Sequence, residues 1–113
     1  MSAELSLYHR RADQTLLALQ DAIDTAVGDL IDVEAQGDVV TLDLPDGGQY
    51  VLNKSAPLQQ IWLSSPRSGA WHFAWHDAVQ GWVSTRTSDR LGVLLGAELS
   101  AVSGRSIDLT SLA

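Results

Sequence analysis

The sequence lacks cysteine altogether and has only three prolines and one phenylalanine among its 113 residues. The lack of cysteine excludes disulfides, thiolate zinc sites, cysteine nucleophiles and cysteine-ligated iron–sulfur clusters. No apolar run approaches the ~20 residues that a membrane-spanning helix needs, so we expect no membrane partner. A chain of this length holds one hydrophobic core but not two, and we therefore expect a single domain over residues 1–113.

Targeting signals are also lacking at the start of the sequence, which reads Met1-Ser2-Ala3-Glu4-Leu5. It shows neither the basic and apolar regions of a secretory signal nor an arginine-rich presequence. We therefore expect a cytoplasmic protein, or the matured form of a protein imported into an organelle.

Positive charge is scarce, because seven Lys and Arg residues face fourteen Asp and Glu residues for a net charge of −7. Residues 1–46 contain ten of the acidic residues and only two of the basic ones. Binding to nucleic acid requires clustered Lys and Arg, so we expect no nucleic-acid partner. The field of this chain instead attracts cations or a basic protein surface.

The first pattern along the chain is amphipathic, with apolar side chains every three or four residues between positions 5 and 27. This spacing predicts a long helix that ends at Gly28, in a left-handed conformation typical of helix C-termini. Asp13, Asp21 and Asp24 fall within about a quarter-turn of one another on the side opposite the apolar stripe. The helix is therefore expected to present an acidic outer face.

From residue 31 the apolar period changes to two, and turn residues divide the following sequence into six short strands. Lys54-Ser55-Ala56-Pro57 is expected to end the third strand, and Thr87 or Ser88 to cap a second helix that ends near Gly104. Strands joined by tight turns pair in antiparallel fashion. The prediction is an α+β fold, a two-layer α/β sandwich with two helices packed on one face of a six-stranded antiparallel sheet.

The fourth predicted strand contains a tryptophan among polar neighbours. Alternation places Ile61 and Leu63 on one face and Gln60, Trp62 and Ser64 on the other, which is the face without helices. One explanation is that another part of the same chain covers Trp62. The alternative is that Trp62 anchors a partner, because Trp is enriched among the residues that dominate interface energies.

Catalytic patterns are missing. His9, His72 and His76 are the only histidines, and we find none paired at helical spacing with a second ligand. Gly47-Gly48 closes a hairpin rather than opening a helix, so it does not form a phosphate-binding loop. The sequence therefore favours a protein that is not an enzyme.

The acidic residues suit oxygen-preferring cations, including ferrous iron when the ligands are carboxylates and water. The alternative is that the acidic face is solvated and keeps the domain soluble. Surface carboxylates without supporting contacts bind metal weakly, which fits delivery or sensing better than storage.

Several stretches make this chain resemble the frataxin family, and the resemblance extends over nearly the whole sequence. They are Tyr50-Val51-Leu52-Asn53-Lys54, Gln60-Ile61-Trp62-Leu63-Ser64-Ser65-Pro66, Ser68-Gly69 and Ile107-Asp108-Leu109-Thr110-Ser111-Leu112-Ala113. The sequence is most similar to the bacterial, CyaY-type members, although its central stretch is close to the mitochondrial ones. The resemblance implies the α/β sandwich predicted above.

The resemblance also implies an iron-binding protein that works with iron–sulfur cluster assembly, by contacting the cysteine desulfurase and the scaffold protein. Asn53, Gln60 and Trp62 match the family's partner-contacting positions. Weakly bound Fe(II) or Fe(III) is the implied metal, with no cluster or organic cofactor, and the chain is expected to be a monomer. The residues in the family's metal-binding region are His9, Asp13, Asp21, Asp24, Asp29, Asp32 and Glu34.

Two alternatives remain open at this level. The density of carboxylates alone also fits a ferroxidase or an iron-storing oligomer, and weak ferroxidase activity is known among family members. A third possibility is a structural partner domain with no role in metal binding, in which the acidic residues only attract a basic partner.

Overall fold

The computed structural model describes residues 2–113, and its two helices and six strands follow the predicted order. No helix within residues 2–113 is long and apolar enough to cross a membrane. The elements are α1 (Ala3–Val27), β1 (Asp32–Gln36), β2 (Val39–Asp43), β3 (Gln49–Ser55), β4 (Gln60–Ser65), β5 (Gly69–His76), β6 (Gly81–Ser84) and α2 (Leu91–Ser103).

The six strands form one sheet in the order in which they occur in the chain, and every pairing is antiparallel. This meander follows from the short turns between strands, which only antiparallel neighbours allow. Both helices cover the same face, so the predicted two-layer α/β sandwich is confirmed. The opposite face is called the outer face below.

The core lies between the helices and the sheet. Trp82, Tyr50 and Phe73 are its largest fully buried side chains, and Leu19 of α1 and Leu95 of α2 pack against them. Alternation along each strand explains this arrangement, because every second side chain points towards the helices. The sequence prediction that Ile61 and Leu63 point inward is confirmed, since both are buried.

The ends of the helices differ from the predictions in two places. Gly28 has φ −59°, so α1 ends in a right-handed rather than a left-handed residue. The N-cap of α2 is Arg90, which makes no side-chain capping hydrogen bond. Thr87 Oγ1 accepts the backbone N–H of Asp89 at 3.1 Å, so its hydroxyl stabilises the preceding turn instead of the helix.

Glu98 of α2 connects the helix layer to the sheet and to the loop after β4 through hydrogen bonds. Its carboxylate accepts hydrogen bonds from the hydroxyls of Tyr50, Ser65 and Ser68, at 3.0, 2.6 and 2.6 Å. Burial and the neighbouring carboxylate raise the pKa of Tyr50 to about 12, which keeps its hydroxyl a donor. The network therefore fixes the end of β4 against α2.

The segment after α2 packs back onto the domain through its apolar side chains. Ile107 and Leu109 are buried, and the backbone N–H of Trp82 donates a hydrogen bond of 3.1 Å to the carbonyl of Ala113. This segment therefore covers the part of the core next to β6.

Candidate functional site

A row of neighbouring side chains crosses the middle of the outer face. Val39, Asn53, Trp62 and His72 are directly opposite one another on β2, β3, β4 and β5. Val39 is exposed and the other three are half-buried. The predicted placement of Trp62 on the face without helices is confirmed, and Asn53 lies opposite it on the same face. No other segment of residues 2–113 covers this row completely.

Trp62 is held in place by two side chains. Its indole ring stacks on the imidazole of His72, with ring centroids 4.3 Å apart and planes 14° apart. Its Nε1–H donates a hydrogen bond of 2.8 Å to Oε1 of Gln60. Because the indole N–H already has an acceptor, Trp62 offers a partner its apolar ring rather than a donor.

The side chain of Gln60 orients Trp62, and its predicted contact with a partner stays a prediction. His72, which stacks on Trp62, is a candidate site residue that the sequence reasoning did not name. The register between β4 and β5 brings the two rings together, because it places Trp62 opposite His72 and Leu63 opposite Trp71. The alternation of the strands fixes which face each ring occupies, but not which ring lies beside which.

Among the predicted metal ligands, His9 and Asp13 both contact Lys54 of β3. Lys54 Nζ lies 3.1 Å from Nδ1 of His9 and 2.7 Å from Oδ1 of Asp13. Burial lowers the pKa of Lys54, but the hydrogen bond and charge of Asp13 outweigh burial and leave that pKa raised. His9 and Asp13 lie four residues apart on α1, so the sequence-based statement that no histidine has a ligand partner at helical spacing is wrong.

Asp29 is also engaged by a cation of the same chain. Its two carboxylate oxygens accept hydrogen bonds from Arg105, at 2.7 and 2.8 Å, and Arg105 also donates to the carbonyl of Ala26. The hydrogen bond from Arg105 lowers the pKa of the Asp29 carboxyl. This pair connects the end of α1 to the segment after α2, and it leaves Asp29 less available to a metal ion.

The other four predicted metal ligands are exposed and make no ion pair within residues 2–113. Asp21 and Asp24 lie on α1, whereas Asp32 and Glu34 lie on the outer face of β1. The structure therefore divides the predicted set between the two layers of the sandwich. No group of three or more Asp, Glu or His side chains in the described part of the chain is arranged to hold a metal ion.

Two carboxylates face each other at the acidic edge of the sheet. Asp32 of β1 is directly opposite Asp43 of β2 on the outer face. Oδ1 of Asp43 accepts a hydrogen bond of 2.7 Å from Gln49, which does not neutralise the charge. Like charges directly opposite in a sheet are destabilising, so this edge favours an incoming cation or basic side chain.

These features define a class of small α/β sandwich proteins that have an acidic helix, an acidic sheet edge and a tryptophan at the centre of the outer face. The chain belongs to the frataxin family, because the model of the frataxin-like domain matches residues 1–105.

Known relatives come from both mitochondria and bacteria. The chain is 38% identical over 105 residues to the mitochondrial frataxin homologue of Schizosaccharomyces pombe, covering 89% of this chain and 66% of that protein. It is 37% identical over 101 residues to the iron-sulfur cluster assembly protein CyaY of Vibrio cholerae, covering 89% of this chain and 93% of that one. This chain thus spans slightly less than two thirds of the mitochondrial relative.

Solved structures show the same fold. The frataxin of Psychromonas ingrahamii superposes with a TM-score of 0.82 at 24% identity, over 94% of this chain and 97% of that one. The trimeric frataxin of Saccharomyces cerevisiae, complexed with ferrous iron, gives a TM-score of 0.71 at 40% identity, over 82% of this chain and 86% of that one.

Proposed function

We propose that this protein binds ferrous iron weakly and docks on the cysteine desulfurase and scaffold of iron–sulfur cluster assembly, where it regulates sulfur production or transfer. The observation that carries the proposal is Trp62, which is half-buried and held rigidly at the centre of the outer face. The Vibrio cholerae relative is named for iron-sulfur cluster assembly, which supports this pathway.

The outer face has the physical properties of a docking surface. A tryptophan that is already ordered loses little conformational entropy when a partner covers it, and more of the contact energy then appears as affinity. Asp32, Glu34 and Asp43 lie on the same face, towards β1 and β2. Their charge attracts a basic partner surface and sets its orientation before Trp62 is covered.

Iron binding, in this proposal, uses the four predicted metal ligands that make no ion pair within residues 2–113, which are Asp21, Asp24, Asp32 and Glu34. They are not preassembled, so bound Fe(II) or Fe(III) keeps most of its water ligands and dissociates readily. The yeast relative complexed with ferrous iron supports an association with this metal. Weak binding suits delivery or sensing.

The docking proposal is tested by titrating the activity of the cognate desulfurase and scaffold with this protein, with and without ferrous iron. Trp62→Ala should weaken binding by about 2 kcal/mol or more, because an interface tryptophan is a typical hot spot. Val93→Ala is the matched control, since Val93 is an exposed apolar residue of α2 in the opposite layer. No effect of the wild type on sulfide production would refute the regulatory role.

The metal proposal is tested by calorimetric titration of ferrous iron under anaerobic conditions. Joint replacement of Asp21, Asp24 and Asp32 by Asn and of Glu34 by Gln should abolish measurable binding. A control in which Asp46 and Asp108 become Asn changes charge at two exposed sites outside this set. An unchanged isotherm in the first variant would favour the structural partner domain without a metal role.

A second candidate function is a ferroxidase or an iron-storing oligomer, and the trimeric state of the yeast relative favours it. We propose instead that this chain acts as a monomer and not as an enzyme. Oxygen consumption on addition of ferrous iron, and sedimentation under excess iron, distinguish the two. Consumption above that of buffer, together with a larger species, would support the storage function.

The proposed function also implies a cellular compartment. We place the protein in a bacterial cytoplasm, or in the mitochondrial matrix if the chain is a matured form. Fractionation of cells that produce the native protein would decide between the two.

A further inference from the structure

Lys54 is an unusual residue for its position. It is opposite Ile61 in the sheet, on the face that packs against the helices, and its side chain is only 7% exposed. Its ammonium group is surrounded by groups from two other segments. Asp13 lies at 2.7 Å and His9 at 3.1 Å, both from α1, and Asp38 of the turn between β1 and β2 lies at 3.4 Å.

This arrangement is that of a cation site in which the cation belongs to the protein. His9 and Asp13 are one helical turn apart and therefore point to the same side of α1, and Asp38 approaches from the turn. A buried ammonium group requires such partners, because an unpaired charge away from water is costly. A divalent ion that entered here would have to displace Lys54 or lie beside a positive charge.

We propose that Lys54 is a tethered cation that withholds His9, Asp13 and Asp38 from divalent metal ions. Metal bound by this protein is then confined to carboxylates elsewhere. The role of Lys54 is specificity, since one side chain removes the only histidine of α1 from the ligands that the acidic helix could offer. The effect of Lys54 on iron binding in the wild type depends on the proposed iron binding. The exclusion of divalent ions from His9, Asp13 and Asp38 does not depend on it.

Removal of the charge should open the site. Lys54→Met keeps a straight apolar stem but leaves one imidazole nitrogen and two carboxylates around an unfilled position. Zinc accepts this combination at about 2.0–2.2 Å. Those distances are shorter than the present distances to Lys54 Nζ, and Asp13 and Asp38 are exposed enough to move inward.

The test uses Zn²⁺ alone and the imidazole ¹H–¹⁵N spectra of the full chain, in which His72 and His76 are internal references. In the wild type, the His9 nitrogens should not shift at Zn²⁺ concentrations that saturate Lys54→Met. In Lys54→Met, the Nδ1 resonance of His9 should shift with an affinity at least tenfold higher than in the wild type. Lys54→Arg keeps the charge and should resemble the wild type.

Two results would overturn the inference. One is a His9 shift in the wild type at the same Zn²⁺ concentration as in the variant, and the other is no His9 shift in a folded Lys54→Met protein. Lys54→Gln serves as a second neutral variant if the Met variant does not fold. With either neutral variant as the reference for the Zn²⁺ concentration, a His9 shift in the wild type at that concentration refutes the inference.

The role of Lys54 and the proposed iron binding can be tested independently of each other. If His9→Gln lowers the ferrous iron affinity of the wild type more than twofold, the inference fails while the proposed iron binding stands. If the wild type binds no iron but Lys54→Met gains zinc at His9, the proposed iron binding fails and the role of Lys54 stands.

Discussion

Trp62 and His72 lie face to face on neighbouring strands, with ring centroids 4.3 Å apart and planes 14° apart. One face of the indole is thus covered by the imidazole, and the indole N–H is bound to Gln60. The ring therefore has little freedom before a partner arrives. If the outer face is the docking surface, then the residue that positions Trp62 should also contribute to binding, although less than Trp62 itself.

The first prediction concerns His72. His72→Ala should weaken binding to the desulfurase and scaffold about two- to tenfold, because a stacked aromatic pair contributes about 0.5–1.5 kcal/mol. His72→Phe should restore most of the affinity, since it keeps a ring against Trp62. Binding isotherms and the near-ultraviolet circular dichroism of the free protein would measure the two effects.

His76→Ala is the control for that experiment, because His76 is an exposed histidine at the end of the same strand. Equal affinities of the wild type and His72→Ala would show that the stack does not contribute to docking. A loss of affinity in His72→Phe as large as that in His72→Ala would assign the effect to a polar contact of the imidazole.

The second prediction concerns a buried hydrogen bond between the two layers. Nε1 of Trp82 donates to Oγ1 of Thr15 at 2.9 Å, and both residues are buried. Thr15→Val keeps the shape of the side chain but leaves the indole N–H without an acceptor. The free energy of unfolding in urea should fall by about 1–3 kcal/mol. Thr25→Val, at an exposed position of α1, should change it little, and equal losses in both variants would contradict the assignment.

The third prediction compares two glycines of α2 that face the C-terminal segment. A methyl group at Gly92 would overlap the backbone carbonyl oxygen of Leu109, whereas one at Gly96 would lie 3.1 Å from the carbonyl oxygen of Ile107. Gly92→Ala should destabilise the protein by about 1–3 kcal/mol, despite the higher helix propensity of Ala.

Gly96→Ala should cost less than Gly92→Ala, because a shift of a few tenths of an ångström accommodates the methyl group. Thermal unfolding of both variants measures the difference. A Gly92→Ala protein that is more stable than the wild type would show that the C-terminal segment does not pack closely on α2 in solution.

The fourth prediction is the pH dependence of the pair formed by Asp29 and Arg105. The pKa of Asp29 is lowered from 3.8 in the folded protein, because Arg105 donates hydrogen bonds to its carboxylate. The pair therefore stabilises the fold above that pH, and the contribution is lost as the pH falls through the lowered pKa. Asp29→Asn should unfold at a lower temperature than the wild type at neutral pH. This difference in melting temperature should disappear in acid.

Melting temperatures between neutral pH and about pH 2 would test this sign. Added salt should also narrow the gap at neutral pH, because the pair is exposed and therefore screened. Asp46→Asn is the control, since Asp46 forms no ion pair within residues 2–113. A gap that widened in acid would contradict the assigned direction of the pKa shift.

The errors in the sequence-based prediction have physical causes. Lys54 was expected to end a strand because of the nearby Pro57, but β3 continues to Ser55. Pairing with β4 overrides the local signal, since Lys54 and Ser55 are opposite Ile61 and Gln60. The predicted N-cap of α2 at Thr87 or Ser88 is wrong for a similar reason, because Arg90 forms a β-bridge to Val83 before the helix begins.

The sequence by itself determined the helices, the strands and the face of the sheet that each side chain occupies. It did so because the periods of a helix and a strand are local properties that apolar spacing records. It thereby placed Trp62 on the outer face and the carboxylates on the surface.

Only the tertiary structure decided which of those side chains are free to bind. Lys54 engages Asp13 across 41 residues, and Arg105 engages Asp29 across 76 residues. Trp62 meets His72 through the register between two strands. Contacts of this kind depend on where distant segments meet, and no local pattern in the chain encodes that position.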